Sequence, residues 1–430
     1  MKSARHKVLH PVAGRPMLLH LLANVAALAP ERQVVVVGAG RDQVAAAVAG
    51  TGAVIAVQDQ QLGTGHAVRQ AHDALAGFAG DVLILYGDVP LVRADTMRAM
   101  LDRLNRGDEP RAVVLGFRPV DTAAYGRIIA DGQGLITKMV EYKDADADER
   151  AVTLCNSGLM AARSTDLFVL LDQIGNSNAA GEYYLPDIVM LPGATSAVIE
   201  TDAWEVAGVN SRAELAGVEA LWQARRRAEA MREGVTLVAP ETIFFAHDTV
   251  LGRDVTIGPN VVFGPGVAVA DDAVIHAFSH LEGATVGQGA EIGPYARLRP
   301  GAQIGVGAKV GNFVEIKKAT LGRGAKANHL SYIGDASIGA EANIGAGTIT
   351  CNYDGFLKYR TEIGEGAFIG SNSALVAPVS IGAGAIVGAG SVVTKDVAPD
   401  ALCLVRPDQQ AKTGWAARFR ARMKAKTSAK

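Results

Sequence analysis

The chain has 430 residues, 49% of them hydrophobic, a net charge of −2 and three cysteines. At roughly 100–200 residues per domain this length suggests two or three domains, and the near-neutral balance gives no global electrostatic case for a nucleic-acid or membrane partner. No apolar run approaches the ~18 residues of a spanning helix and no charged segment leads into an apolar one as in a signal peptide. Cys155, Cys351 and Cys403 are too scattered for a disulfide framework or a zinc site, so a reducing cytoplasm is the expected compartment.

In chain order, the first nine residues hold no strand. Leu18, Leu21, Leu22, Val25 and Leu28 then recur at helical spacing behind Pro16, which suits a helix start. Residues 33–38 read as a buried parallel strand. A short helix is predicted over 42–48, with further strands over 53–57, 81–85 and 113–116. Strands alternating with helices predict an α/β domain with a mostly parallel sheet. Ligands of such sheets sit at the carboxyl ends of strands, where Tyr86-Gly87-Asp88 falls. Residues 211–233 turn charged and helical, with Leu215, Val218, Leu221, Trp222 and Ala228 as the apolar positions.

From Leu251 the pattern changes. An apolar residue returns every sixth position: Leu251, Ile257, Phe263, Val269, Ile275, Leu281. After one five-residue step it resumes as Val286, Ile292, Leu298, Ile304, Val310 and Ile316, and it slips again at Leu321. After a break it continues as Ile363, Ile369, Leu375, Ile381, Val387 and Val393. A period of six matches neither a helix face nor a two-residue alternation; it is the period of a parallel β-helix of hexapeptides. The expected division is 1–210, a linker helix over 211–233, a β-helix over 234–410, and a tail over 411–430 with seven Lys/Arg and no acid.

Some residues carry chemistry. Gly63-Thr64-Gly65 joins a strand to a helix, where backbone amides and a hydroxyl can meet a ligand; such a turn is often only a turn. Asp88 suits Mg²⁺, which takes oxygen ligands together with substrate phosphates; strand-end aspartates are more often structural caps. Where the six-residue phase breaks, Thr350-Cys351-Asn352-Tyr353-Asp354-Gly355 leaves the solenoid, and loops leaving a rigid scaffold tend to carry function. His329 is a candidate general base near neutral pH, the bland alternative being a surface histidine on a corner. Cys351, beside Asn352, is read as packing, since direct transfer to an amine needs no nucleophile.

The strings Leu62-Gly63-Thr64-Gly65-His66-Ala67 and Tyr86-Gly87-Asp88-Val89-Pro90-Leu91 are specific for sugar nucleotidyltransferases. With Tyr125-Gly126-Arg127-Ile128, Gly181-Glu182-Tyr183-Tyr184, Arg297-Leu298-Arg299-Pro300 and His329-Leu330-Ser331-Tyr332, the chain resembles, over nearly its whole length, the bifunctional N-acetylglucosamine-1-phosphate uridyltransferase/glucosamine-1-phosphate acetyltransferase family of cell-envelope precursor synthesis. The resemblance implies a Rossmann-like α/β nucleotidyltransferase domain followed by a left-handed parallel β-helix, with acetyl-CoA and UTP as co-substrates and Mg²⁺ as cofactor. It implies Gln58, Gly63 and Thr64 at the uracil, and Gly126, Glu141 and Asn156 at the sugar. Lys7 is implied at the phosphates, Tyr86 and Gly87 beside the UDP-sugar, and Asp88 and Asn210 on the metal. In the β-helix it implies His329 as base, with Glu315 orienting it and Asn352 donating to the oxyanion. Arg299, Lys317, Tyr332, Asn343, Tyr353 and Lys358 are implied at the amino-sugar phosphate. Ala346, Asn352, Tyr353, Ser371, Ala389 and Arg406 are implied at acetyl-CoA, with the basic tail near its phosphates or merely solvated. A homotrimer with acetyltransferase sites shared between chains is also implied.

One departure is expected to matter. The family opens with a strand and a Gly-rich phosphate loop ending in an Arg-Met pair, and this sequence begins at what resembles that Met, with His6 where the family has proline. The expectation is a sheet open where that strand belongs and a nucleotide site without its principal phosphate-binding amides. The alternative function is therefore acetyl transfer alone.

Overall fold

The computed structural model describes residues 1–122, 125–178, 181–193 and 195–428. The chain separates into two compact units, Met1–Arg226 and Arg227–Lys430. No helix among the described residues is long and apolar enough to cross a membrane.

In the first unit, a small hairpin β1 (Pro11–Val12) and β2 (Arg15–Pro16) leads into α1 (Met17–Ala26), capped by Pro16 as its sequence suggests. Then follow β3 (Val34–Val37), α2 (Arg41–Val48), β4 (Val54–Val57), α3 (Thr64–Arg69), β5 (Asp81–Ile84), α4 (Ala94–Leu104) and β6 (Ala112–Phe117). Of these, α1, β3, α2, β4, β5 and β6 match the predicted elements within one or two residues, and α3 is the helix expected after the Gly63-Thr64-Gly65 turn; the hairpin and α4 were not predicted. Sequence reasoning missed β7 (Arg127–Ala130), β8 (Ile136–Val140), β9 (Cys155–Arg163) and β10 (Ser196–Thr201), as well as α5 (Ala147–Ala151) and α6 (Ser164–Leu171).

The missed strands correct the expectation of a mostly parallel sheet. β9 runs antiparallel to β5, β6 and β7, and among the described residues only β6–β10 is a parallel pair in the six-stranded sheet. β3 and β4 pair in parallel as a separate two-stranded sheet. β6 shows why the larger sheet is the core. Ala112 and Val114 point into a cluster with Leu167, Leu170 and Ile188, while Val113, Leu115 and Phe117 point into another with Met97, Met100 and Leu104. Alternate residues of one strand are thus buried on opposite faces, and α4 and α6 supply the covers. α7 (Arg212–Arg232) begins in this unit, where Leu215, Val218 and Trp222 pack with Met17 and Val209.

The second unit is the expected parallel β-helix. Ile257 lies beside Ile275, 18 residues on, and Ile275 beside Ile292, 17 residues on, so the five-residue step shortens one coil without losing register. All the residues assigned to the interior are buried except Leu251, on the opening coil, which is partly exposed. The row also continues across the apparent break, with Ile333, Ile338 and Ile344 buried. Thr350 takes the next inward place, its Oγ1 accepting from Gly334 N at 2.8 Å. What displaces the phase is the loop over 352–359. The basic tail is an exposed helix, α8 (Trp415–Thr427); residues 429 and 430 of the expected tail lie outside the described residues.

Candidate functional site

In the first unit the candidate residues come from separate elements and meet at the carboxyl ends of β4, β5 and β6. The turn after β5 carries Tyr86, Gly87 and Asp88, and Val209 N donates to Asp88 O at 3.1 Å. That bond brings Asn210 beside Asp88. The Lys7 ammonium donates to Asp88 Oδ2 at 2.6 Å and to Asn210 Oδ1 at 3.0 Å. Asn210 is itself held by α7, whose Glu214 accepts from the backbone N–H groups of Asn210 and Ser211 at 2.5 and 2.8 Å. Those bonds hold the Glu214 carboxyl below the usual range, the Asn210 bond most strongly.

Beyond β4, Gln58 Nε2 donates to Gly63 O at 3.1 Å and lies 3.0 Å from His66 Nδ1. Gly63 has φ +107°, and a Cβ there would lie 2.5 Å from Tyr183 O, so only glycine fits this turn. Gly65 N donates to that same Tyr183 carbonyl at 2.8 Å, and Leu185 N donates to Thr64 Oγ1 at 3.0 Å. On the far side, Asn156 N donates to Gly126 O at 2.9 Å. A Cβ on Gly126 would lie 3.2 Å from Glu141 Oε1. Burial, then Asp144 and Asp187, raise the Glu141 carboxyl. Tyr86 joins the groups. Burial pushes its hydroxyl up to about 12, Thr64 beside it opposes the rise, and Asp88 and Glu141 add to it. One member of each group, Thr64, Asp88 and Glu141, therefore acts on the same tyrosine.

In the β-helix unit, the strand Lys309–Asn312 lies in register with Lys326–His329, so Asn312 stands beside His329. His329 Nδ1 is 2.6 Å from Asn312 Oδ1. With the amide oxygen facing Nδ1, that nitrogen carries the proton and Nε2 keeps the lone pair. The imidazole partner is thus Asn312, which sequence reasoning did not single out. Glu315, expected to orient His329, accepts instead from Arg299 Nη1 at 2.7 Å. Asn312 and His329 are 17 residues apart, one shortened coil; that arithmetic is the signal that could have found the pair.

Past the corner, Glu315–Leu321 is in register with Tyr332–Ile338, which sets Lys317 beside Gly334 and Glu315 beside Tyr332. Lys358, returning from the loop, stands against Lys317 and lowers its ammonium pKa; Arg299 acts in the same direction and Asp335 opposes. Three cations thus gather around one place, an arrangement that favours an anionic ligand. The loop is shaped by Asp354, whose Oδ1 accepts from Phe356 N and Leu357 N at 2.8 and 2.7 Å, and by a bridge between Tyr353 and Lys358. The Tyr353 hydroxyl donates to Gly355 O. Asn352 is buried and its Nδ2 donates to Asp335 Oδ2, so the amide expected to meet an oxyanion is engaged with a carboxylate. Asn343 lies in register with Lys326 and Phe368, on the coil after His329.

The residues expected at acetyl-CoA climb the His329 corner coil by coil. Gly347 N donates to His329 O at 3.3 Å, Asn372 N to Ala346 O at 2.7 Å, and Gly390 N to Ser371 O at 2.8 Å. The Arg406 guanidinium closes the column on the carbonyl of Ala389. Ala346, Ser371, Ala389 and Arg406 therefore form one edge, and His329 stands at its lower end.

Comparison with known proteins agrees with both units. Residues 1–132 match the MobA-like NTP transferase domain, and residues 248–283 and 360–395 match the bacterial transferase hexapeptide (six repeats). The chain is 68% identical over 433 positions to the bifunctional protein GlmU of Rhizorhabdus wittichii, covering 100% of this chain and 96% of that protein. It is 64% identical to the bifunctional protein GlmU of Sphingopyxis alaskensis, covering 100% and 95%. With that of Zymomonas mobilis the identity is 57%, covering 99% and 96%. Identity of this degree along the whole chain, on a nucleotidyltransferase unit followed by a hexapeptide solenoid, means that the chain belongs to the bifunctional GlmU family.

Proposed function

We propose that the β-helix unit transfers an acetyl group from acetyl-CoA to glucosamine-1-phosphate, and that the first unit transfers a uridyl group from UTP to N-acetylglucosamine-1-phosphate, giving UDP-N-acetylglucosamine and pyrophosphate. The observation that carries the reading is the joining of a base and a cation cluster across one corner. The Asn312–His329 pair lies immediately before it, and Lys317, Lys358 and Arg299 gather after it. An amino-sugar phosphate has the matching polarity, with an amine at one end and a dianion at the other. His329 Nε2 takes the proton that the amine loses as its nitrogen attacks the thioester carbonyl, and Asn312 holds the ring in the tautomer that leaves Nε2 free; as the C–N bond is made the C–S bond breaks, and coenzyme A leaves as the thiol with the proton His329 returns to its sulfur. Arg299, Lys317 and Lys358 hold the phosphate, a task for which guanidinium and ammonium groups are suited. Tyr332, Asn343 and Tyr353 line the sugar, while Ala346, Ser371, Ala389 and Arg406 carry acetyl-CoA along the edge above. Asn352 serves the oxyanion if the substrate displaces Asp335 from its amide, and Glu315 fixes Arg299.

In the first unit, Gln58, Gly63 and Thr64 hold the uracil, and Gly126, Glu141 and Asn156 hold the sugar. The residues fit Mg²⁺. Two oxygen donors, Asp88 Oδ2 and Asn210 Oδ1, already converge on one cation, the Lys7 ammonium. Among the described residues there is no cluster of three His, Cys, Asp or Glu, so substrate phosphates and water complete the shell, as Mg²⁺ commonly requires. When bound, the ion neutralises phosphate charge. Lys7 then turns to the phosphates, and Tyr86 and Gly87 fix the floor beside them. The enzyme works in the cytoplasm as a homotrimer.

Both half-reactions measured in parallel on the full chain test this reading. Acetyl-CoA consumption with glucosamine-1-phosphate and pyrophosphate release from UTP are both expected. Asp88→Asn should abolish only the second. Acetyl transfer without pyrophosphate release in the parent chain would leave the acetyltransferase reading alone standing.

A further inference from the structure

Asn352 stands where the chain leaves the solenoid. Its N donates to Thr350 O at 2.9 Å and its O accepts from Tyr359 N at 3.0 Å, so both ends of the loop over 352–359 are gathered at this one residue. Its side chain is buried, and Nδ2 donates to Asp335 Oδ2, 17 residues earlier and one coil below.

Asp335 is built into its place. The strand Glu315–Leu321 sets Lys317 beside Gly334 and Ala319 beside Ala336, so Asp335 lies over Lys318. Lys318 in turn lies over Gly301, where an added Cβ would be 3.2 Å from Lys318 Cα. All three have positive φ: +84° at Gly301, +46° at Lys318 and +47° at Asp335. The corner therefore kinks the same way on three successive coils, and aspartate tolerates that conformation. Thr350 braces the kink from inside, its Oγ1 accepting from Gly334 N at 2.8 Å and donating to Gly334 O at 3.1 Å. The Asp335 carboxylate thus springs from a fixed backbone. It also lies close enough to Lys317 to oppose the depression of that ammonium, which puts it at the edge of the cation cluster.

Chemistry then fixes the amide. An ionised carboxylate has no proton to give and can only accept. The NH₂ of Asn352 must face Asp335, and Oδ1 must face away. Among the described residues Oδ1 accepts no hydrogen bond, and it is not a buried atom left without a partner, so solvent reaches it. A bond to a charged group is roughly twice as strong as a neutral one, so the orientation is firmly held.

We propose that Asp335 is a positioning residue of acetyl transfer: it holds the Asn352 amide so that residue 352 offers the substrate an acceptor, Oδ1, and not an N–H. The proposal rests on the acetyltransferase reading and assigns a different task within it. Oδ1 receives a hydrogen-bond donor of the amino sugar, its amine or a ring hydroxyl. Asp335 keeps its hold throughout, and the oxyanion is served by other donors.

Exchanging the two groups tests this on the full chain. Asn352→Asp alone sets two carboxylates face to face and should lower kcat/KM for acetyl transfer by about a hundredfold. In the double variant Asp335→Asn/Asn352→Asp, the amide now at 335 donates to the carboxylate now at 352, whose second oxygen still faces the substrate. The solenoid Tm should recover, and acetyl transfer should rise about tenfold or more above Asn352→Asp. A donor role for Asn352 requires the opposite, because a carboxylate has no N–H. A double variant with a recovered Tm and no more activity than Asn352→Asp overturns the proposal. Asn352→Ala should lose about tenfold, in kcat if the amine is the donor and in KM if a hydroxyl is; parental kinetics there would make the pair merely structural and also overturn it. Should Asn352→Asp fail to fold, Asp335→Asn decides alone. It keeps the shape and the left-handed backbone but no longer dictates the amide, and parental acetyl transfer in it defeats the proposal. Pyrophosphate release, on the other unit, should be unchanged throughout. A parent chain without acetyl transfer would sink the acetyltransferase reading itself, a result distinct from all of these.

Discussion

At the scale of single residues, the acetyltransferase site turns on which nitrogen of His329 is free. Asn312 decides that through the bond to Nδ1. His329→Ala should lower kcat for acetyl transfer by ~10²–10⁴, the usual worth of a general base. Asn312→Ala should cost about tenfold, the loss of orientation alone. Asn312→Asp discriminates further. A carboxylate at Nδ1 stabilises the imidazolium and raises its pKa, more base is protonated at a given pH, and the acidic limb of kcat/KM should move to higher pH. An unmoved limb in that variant would mean that Asn312 does not govern the base. Lys317 gives a second pH test. Its ammonium is depressed chiefly by Lys358, and lysine is charged only below its pKa. The KM for glucosamine-1-phosphate should therefore begin to rise at a lower pH than an isolated lysine would give. In Lys358→Met the cause is removed and that rise should shift to higher pH, although the starting KM is worse because one phosphate contact is lost.

At the scale of elements, the solenoid was legible because its geometry repeats in the sequence. Every coil turns three corners, so each inward side chain recurs at a nearly fixed interval, and Ile257 through Ile316 announce themselves by spacing alone. What spacing in hexapeptides hides is contact between coils. Asn312 with His329 and Asp335 with Asn352 both lie 17 residues apart, a distance that becomes visible only once whole coils are counted. The first unit was less legible for a different reason. β9 reads Cys-Asn-Ser-Gly-Leu-Met-Ala-Ala-Arg, a poor strand by propensity. It is a strand because β5 and β6 pair with it on either side, and tertiary context of that kind leaves no local mark. The same close stacking predicts a sharp effect at Gly311. A Cβ there would lie 2.0 Å from Asn328 O, so Gly311→Ala must push apart the strands that hold Asn312 against His329. A lower Tm for the solenoid and a loss of acetyl transfer at least as large as in Asn312→Ala are expected, with pyrophosphate release retained. Unchanged acetyl transfer would show that rung spacing at this corner is not what sets the pair.

At the scale of the whole molecule, the two chemistries draw on two separate cores. The residues around Tyr86 lie within Met1–Arg226, and those around His329 lie within Arg227–Lys430. The prediction is that damage stays local in both directions. Asp88→Asn removes a carboxylate from the place where Lys7 and Asn210 meet, and uridyl transfer should fall by two orders of magnitude or more while acetyl transfer keeps its parental kcat and KM. His329→Ala should do the reverse. Mixing the two single variants then gives the decisive measurement. Because N-acetylglucosamine-1-phosphate is the product of one site and the substrate of the other, the mixture should make UDP-N-acetylglucosamine from glucosamine-1-phosphate, acetyl-CoA and UTP, which neither variant does alone. The rate should depend on the intermediate accumulating in solution, with a lag that shortens when N-acetylglucosamine-1-phosphate is added. If the mixture stayed inactive while each variant kept its own half-reaction, the product would have to pass between units without release, and the independence argued from the two cores would be wrong.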